Sequence, residues 1–555
     1  MTSPTPAPAY SSALGWLLAV PAMLGTLITL VVPSVQTVAL SLSSGGVLRE
    51  SLFVGLDNYA ALLGGGAFWR ALWFTLSLTV VPVLVTVLVG PLLAVALDRA
   101  GPWPRRAGVA VLSLAVVTFT PTGIAAGWLR GLAPDASGVA ALAAGLRDPA
   151  TAPGTLRLIV AAATFGLICA LAVTAFLPAL RGGAPGRATL AVAALTGLGV
   201  VAVGLQAFSL ALALTRGGPG HSTETLAGLQ YEHAFRQADF GTGAAVATLT
   251  GLLLGALGLV ATIVAVATGM RITLVPRSAT GPKATTDTSP TGLTPRAASP
   301  TGSVLGTSAR VAVGVVALVV VVAVAVVCAW PWISALLGPD VQAVPPGDLG
   351  TQVNTWVPAL AGALVSVGVA YLGALGIGGL RPLGRRSEWL LLPLAPWLFA
   401  GLGPLGVADW RTARHLGLID TFAALVPPLL VSLPALLVLT LLCKGLAERA
   451  GGDFFGGVFV PSLPMAGVLT GAVTLVNARD LYWPLLVTQD PGLHTAPVRQ
   501  LVQIGVHPAG FAAAGLATPP VVVVVAAAAA VAAQLLCLDR LAVTVNGSRS
   551  AVPGA

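Results

Sequence analysis

The sequence is poor in charge. Only 8% of its 555 residues are Asp, Glu, Lys or Arg, against about 25% in a soluble globular chain. Such a surface cannot be covered for water, and a disordered chain, which is polar and charged, is excluded on the same ground. Cysteine is scarce too. Cys169, Cys328, Cys443 and Cys537 all fall in apolar stretches, with no metal-ligand spacing and no loop position suited to a disulfide framework. No glycine-rich phosphate loop, metal cluster or catalytic triad is present, so no enzyme chemistry and no cofactor or metal are expected of this chain itself. Residues 1–12 hold no Lys or Arg, which argues against a cleaved signal and for a retained first span. The formal charge of +9 and the pI near 10.1 come from dispersed basic residues, not a basic face, and no nucleic-acid partner is expected.

What is abundant is apolar sequence: 56% hydrophobic residues and a mean hydropathy of +0.92. A membrane span takes roughly 20 such residues. Twelve runs qualify, at about 13–41, 70–97, 107–130, 156–180, 188–214, 242–270, 311–337, 355–380, 389–408, 421–443, 458–478 and 511–537. They are apolar all round, as expected where lipid and neighbouring helices are both apolar. The fold class expected is therefore all-α integral membrane, with lipid as its surroundings.

Residues 273–309, rich in Thr, Ser, Pro and Gly, are expected to be a disordered linker. They separate a first half, 1–272, from a second half, 310–555, with six spans each. Placing both termini in the cytoplasm puts 17 of the 28 basic but only six of the 19 acidic residues inside, which makes the inner side +11 and the outer side −2. The excess of positive charge inside selects this orientation, that of a multi-pass protein of the cell membrane. Two halves of like orientation predict two parallel six-span repeats about an axis along the membrane normal.

Two transporter classes suit this plan. Leu97-Asp98-Arg99-Ala100-Gly101 followed by Arg105-Arg106 resembles the acidic-basic motif of the major facilitator family, although a helix end followed by cytoplasmic arginines has the same composition. Against a self-sufficient ion-coupled carrier, nearly every charged residue falls at a span end or in a loop, with Arg130 and Asp420 at the margin. Proton or ion coupling needs ionisable groups inside the bilayer, so energy supplied by another subunit is the better expectation.

The loops carry a more specific resemblance. Phe53-Val54-Gly55-Leu56-Asp57-Asn58-Tyr59 and Phe68-Trp69-Arg70-Ala71-Leu72 are followed by Thr215-Arg216-Gly217-Gly218-Pro219-Gly220 and Ser222-Thr223-Glu224-Thr225. This order resembles one permease subunit of carbohydrate-type ATP-driven (ABC) importers. Asn354-Thr355, His415-Leu416-Gly417-Leu418-Ile419-Asp420-Thr421, Leu463-Pro464 and Asp480-Leu481-Tyr482-Trp483-Pro484 resemble the partner permease. The resemblance implies both membrane subunits of a maltose- or glycerol-phosphate-type importer in one polypeptide, moving a sugar or related polar solute. It also implies an extracellular solute-binding protein, met through Asp57, Asn58, Gly217, Gly218 and Pro219, and a cytoplasmic ATPase dimer that alone would bind ATP.

It places Gln206 and Ser209, three residues apart on one helical face, on the translocation path. Hydrogen bonding between helices is the plainer reading of both. Few aromatic residues are expected in the interior for a sugar to stack on. Where the family carries a helical coupling motif, the chain departs from it. The first such loop is Arg181–Arg187, glycine- and proline-rich without a carboxylate. The second spans 444–453 and keeps only a remnant in Leu446, Ala447, Glu448, Arg449 and Asp453. These glycines oppose a coupling helix, so an ATPase is expected to dock through the second loop alone or not at all. In the latter case the chain is a degenerate permease without transport.

Overall fold

The computed structural model describes residues 10–45, 52–132, 138–182, 185–275, 307–337, 349–506 and 518–546. Among these, nine helices are long and apolar enough to cross a membrane, or eleven if each of two bent pairs is one span. Apolar side chains cover their outer faces; Val315, Val316 and Val319 each lie more than half exposed. The protein has the architecture of an all-α, multi-pass membrane protein. In lipid every backbone N–H and C=O needs an internal partner, and an α-helix supplies one within itself.

In chain order, apart from a short helix Asp57–Gly64 after the first, the helices are α1 (Ser12–Ser41), α2 (Ala67–Ala100), α3 (Pro102–Thr118), α4 (Pro121–Leu129), α5 (Ala152–Leu180), α6 (Pro185–Leu205), α7 (Ser209–Thr215), α8 (Leu226–Tyr231) and α9 (Phe240–Ala267). There follow α10 (Thr307–Leu337), α11 (Leu349–Leu380), α12 (Leu402–His415), α13 (Leu433–Ala447), α14 (Phe455–Ala478), α15 (Tyr482–Val487), α16 (Ala496–Val506) and α17 (Pro520–Leu536). A short hairpin, β1 (Ser43–Ser44) and β2 (Leu52–Phe53), follows α1. Two further strands, β3 (Arg271–Leu274) and β4 (Leu541–Thr544), pair antiparallel.

Four expected spans are interrupted, three of them at prolines. The third bends by 76° between α3 and α4, where Pro121 forces Thr120 into an extended conformation. The ninth bends by 75° between a 3-10 segment, Gly384–Trp397, and α12; Pro393 and Pro396 lie in the 3-10 segment and deny it α-helical hydrogen bonds. The fifth is broken at 206–208. The tenth, expected from 421, opens with a 3-10 turn, Phe422–Leu425, runs without helix through Pro427 and Pro428, and is α-helical only over α13. Its extended stretch finds partners on other helices. The Ser432 amide donates to the Ser366 carbonyl at 3.1 Å and the Leu430 amide to Thr29 Oγ1 at 3.4 Å. Irregular backbone survives at membrane depth only where protein satisfies it in this way. Of the twelfth span, 511–517 lie outside the described residues.

The expected linker is shorter than 273–309. Thr273 and Leu274 belong to β3, the Val275 amide donates to the Arg540 carbonyl at 2.7 Å, and α10 begins at Thr307; 276–306 lie outside the described residues.

Contacts recur in matching places along the two halves. α1 packs against α11 and α10 against α2 and α3, so each half's first helix lies on the other half. α2 packs on α5 and α6 as α11 packs on α13 and α14. The most specific match joins two threonines. Thr75 Oγ1 accepts from the Leu226 amide at 3.0 Å while donating to the Ala71 carbonyl. Thr355 Oγ1 accepts from the Ala496 amide at 2.9 Å while donating to the Thr351 carbonyl. Each hydroxyl satisfies the first N–H of a short helix, α8 or α16, which the helix cannot satisfy itself. Thr75→Val and Thr355→Val are therefore expected to destabilise the protein by similar amounts, about 1–2 kcal/mol each, read as lower Tm in detergent.

Candidate functional site

The breaks in the spans meet one another between the halves. Gln206 follows the last residue of α6, and its side-chain amide is fully engaged. Nε2 donates to the carbonyls of Ala202 and Phe399, both at 3.0 Å, and Oε1 accepts from the Gly401 amide at 2.9 Å. Phe399 and Gly401 are the non-helical residues at the bend of the ninth span. A Cβ on Gly401 would meet Gln206 Oε1 at 2.6 Å, so a larger residue there would displace the Gln206 amide from this contact. The reciprocal contact comes from Arg479, which follows α14 as Gln206 follows α6. Its guanidinium donates to the carbonyl of Val117, two residues before the bend of the third span. Each half thus holds the bent span of the other.

Ser209 is the first residue of α7. With the helix broken at 206–208, it does not share a helical face with Gln206, contrary to the spacing argument. Around the break the interior is more aromatic than the composition leads one to expect. Phe208 stands edge-on to Tyr231 and Tyr482, with ring centroids 5.4 and 4.9 Å apart. Phe235, Phe240 and Trp410 extend this cluster across both halves. Gln230, buried beside it, donates to the Gly403 carbonyl at 2.7 Å and to the Tyr482 hydroxyl at 3.0 Å.

Two acidic residues lie here, Asp409, which sequence reasoning missed, and Asp480, named there only within a loop resemblance. Asp409 on α12 is 7% exposed, and its Oδ2 has no hydrogen-bond partner among the described residues. It stands one residue beyond an apolar run and so read as a span end. Asp480 accepts from the amides of Tyr482 and Trp483 at 3.1 and 3.2 Å; burial pushes its carboxyl up to about 6 despite these donors.

The expected binding-protein residues occupy separate elements. Asn58 Nδ2 donates to the carbonyls of Ser41 and Ser43, at 2.8 and 2.9 Å, fixing the short helix Asp57–Gly64 to the end of α1. Gly217 and Gly218 have φ of +93° and +79° in the turn between α7 and α8, continued by Pro219. A side chain would be strained at both glycines.

The loops expected to face an ATPase gather at the opposite, basic end. Neither described portion contains a separate coupling helix. In the first loop Arg181 and Gly182 form a turn, Gly183 and Ala184 lie outside the described residues, and Pro185–Arg187 begin α6. In the second, Leu446 and Ala447 end α13, Glu448 and Arg449 form a turn, and Asp453 Oδ1, ahead of α14, accepts from the Gly456 amide at 2.9 Å.

Both loops are covered by the strand that leaves the other half. β4 packs on α5, and Arg181 Nη1 donates to the carbonyls of Leu538, Asp539 and Leu541 at 3.3, 2.7 and 3.3 Å. Asp539 also pairs with Arg106. β3 packs on α13, and Arg449 Nη1 donates to the Leu274 carbonyl at 2.8 Å. Glu448 bridges Arg271 and Arg381. Burial alone would raise its carboxyl, but the hydrogen bonds and charges of the two arginines outweigh this and hold it below the usual range.

A depressed carboxylate favours the fold above the unfolded pKa, about 4.3, and loses that contribution as pH falls through the folded value. The Tm is accordingly expected to decline on acidification below about pH 4.3, less steeply in Glu448→Gln. Partial exposure keeps the effect near 1 kcal/mol; the same slope in both proteins would rule this out.

No family model matches this chain, and no curated protein matches it.

Proposed function

We propose that the chain is the membrane-spanning translocation protein of an ATP-driven importer of the carbohydrate-permease type, two six-span permease halves fused in one polypeptide. It would lie in the plasma membrane with both termini cytoplasmic and carry a sugar or related polar solute. The observation that carries this reading is the reciprocal hold of Gln206 on the Phe399–Gly401 bend and of Arg479 on Val117. Parallel repeats whose broken spans meet at a common interface provide a path that can open to either side by moving one half against the other. The matched Thr75 and Thr355 contacts support the repeat, and α13 with its extended lead supplies the twelfth crossing. A solute-binding protein would dock at the Asp57, Asn58 and Gly217–Pro219 end, and an ATPase dimer at the basic end.

A second reading, a degenerate permease that no longer transports, is favoured by one specific observation: β3 and β4 occupy the two loops through which an ATPase would act. Purification of the full chain in mild detergent, with its partners identified by mass spectrometry, separates the two. Recovery of a solute-binding protein and an ABC ATPase, with ATP-dependent uptake after reconstitution, is expected for the importer. Uptake by the chain alone under a proton gradient would instead make it a secondary carrier of the major-facilitator kind and end the proposal. No partner and no uptake would leave the degenerate permease.

A further inference from the structure

The basic end holds a cavity of about 540 Å³ beside the second loop, within the range of small-molecule sites. Four cationic side chains line it, Arg271, Arg381, Arg385 and Lys444, against two carboxylates, Glu388 and Glu448. Two positive charges are therefore in excess. The carboxylates are already committed: Glu448 to Arg271 and Arg381, Glu388 to Lys444. Arg385 lies exposed at the cavity wall.

Two polar atoms of the wall have no hydrogen-bond partner among the described residues, Arg271 Nε and Thr440 Oγ1. Thr440 is the more telling. Its side chain is fully buried. Thr26, Thr29, Thr75 and Thr355 each donate to the carbonyl four residues back, as hydroxyls in apolar helices do, and Thr440 does not. A buried donor left unpaired costs about 1–3 kcal/mol, which a ligand acceptor would relieve.

We propose that this cavity binds a phosphate-bearing anion, with Arg385 and Arg271 supplying charge and Thr440 a hydroxyl donor. Guanidinium N–H groups and an unpaired hydroxyl on residues lining one space suit a tetrahedral oxyanion, and charge-assisted hydrogen bonds are the strong ones. The cavity exceeds the needs of a bare oxyanion and leaves room for the rest of a phosphorylated molecule. At the end of a membrane bundle the phosphate can come from a small soluble compound or from a lipid headgroup. The site does not depend on the transport reading.

The test uses the full chain in a phosphate-free maltoside detergent. In one arm its Tm is followed as inorganic phosphate is added against chloride of equal ionic strength. In the other, native mass spectrometry follows retention of phosphatidylglycerol or phosphatidylcholine carried over from nanodiscs. Saturable stabilisation by phosphate, or selective retention of phosphatidylglycerol, supports the proposal and distinguishes the two sources. Either effect must weaken about tenfold in Arg385→Gln and in Thr440→Val, the loss of one hydrogen bond to a charged group. The exposed Arg385 can change without touching the core, so Arg385→Gln decides the matter should Thr440→Val fail to fold. Absence of both effects, or effects of unchanged strength in Arg385→Gln, overturns the site.

Discussion

Adding one methyl group at Gly182 or at Gly445 is expected to open the base of the molecule. A Cβ on Gly182 would overlap the Val543 carbonyl oxygen, and one on Gly445 the Ile272 carbonyl oxygen. Both obstacles are backbone atoms of the paired strands, which cannot rotate aside as a side chain can. Gly445 lies inside α13 at an ordinary helical φ, where alanine would by propensity alone be worth about 1 kcal/mol in its favour. Destabilisation by Gly445→Ala would thus report the strand and not the helix. Overpacking of this kind costs about 1–3 kcal/mol. A loss of 1.4 kcal/mol multiplies the open population about tenfold. Trypsin cleavage after Arg271, within β3, and after Arg540, next to β4, should accelerate accordingly. Equal cleavage rates in wild type, Gly182→Ala and Gly445→Ala would show that the strands do not cover the loops in solution. The same substitutions bear on the proposed importer: if an ATPase docks at these loops, uncovering them should raise its recovery.

The sheet at the base illustrates what the sequence conceals. Arg-Ile-Thr-Leu at 271–274 and Leu-Ala-Val-Thr at 541–544 are four residues each, too short for a periodic signal, and each follows a long apolar helix that masks it. Their pairing joins segments about half the chain apart and is set by tertiary contact alone. The long helices were legible because a continuous apolar run of span length has few alternatives. Breaks were less so. Pro427-Pro428 announced an irregularity, but whether the segment could leave the helix depended on Ser366 and Thr29 from elsewhere in the fold. Gln206 was visible as a polar residue in an apolar stretch. Its partners, the backbone of Phe399 and Gly401, were not, since any residue presents the same peptide groups. Asp409 escaped notice for a different reason: one residue of uncertainty in a span boundary moves a carboxylate from a loop into the interior.

Gln206 and Arg479 occupy matching places but should respond to substitution in opposite ways. Gln206→Ala removes three good hydrogen bonds and leaves the Phe399 carbonyl and the Gly401 amide without them. Each group deprived of a partner costs about 1–3 kcal/mol, so a fall in Tm of several degrees is expected. Arg479 makes one hydrogen bond to Val117, and its Nε has no partner among the described residues. Burial pushes its guanidinium down to about 10, a sign of how little around it compensates the charge. Replacing a poorly compensated buried charge by an apolar side chain of similar length is often neutral or stabilising, by about 1–4 kcal/mol. Arg479→Met should therefore hold or raise the Tm. A charge kept at such cost calls for a use. Arg479 lines a small cavity with Thr120, Thr122 and Trp356, beside the bend that it grips. On the proposed transport reading Arg479→Met is stable yet loses uptake, while Arg479→Lys, which keeps a donor, recovers part of it. Should Arg479→Met unfold the protein, or transport as well as wild type, its place at the bend is structural and the pairing with Gln206 carries no function.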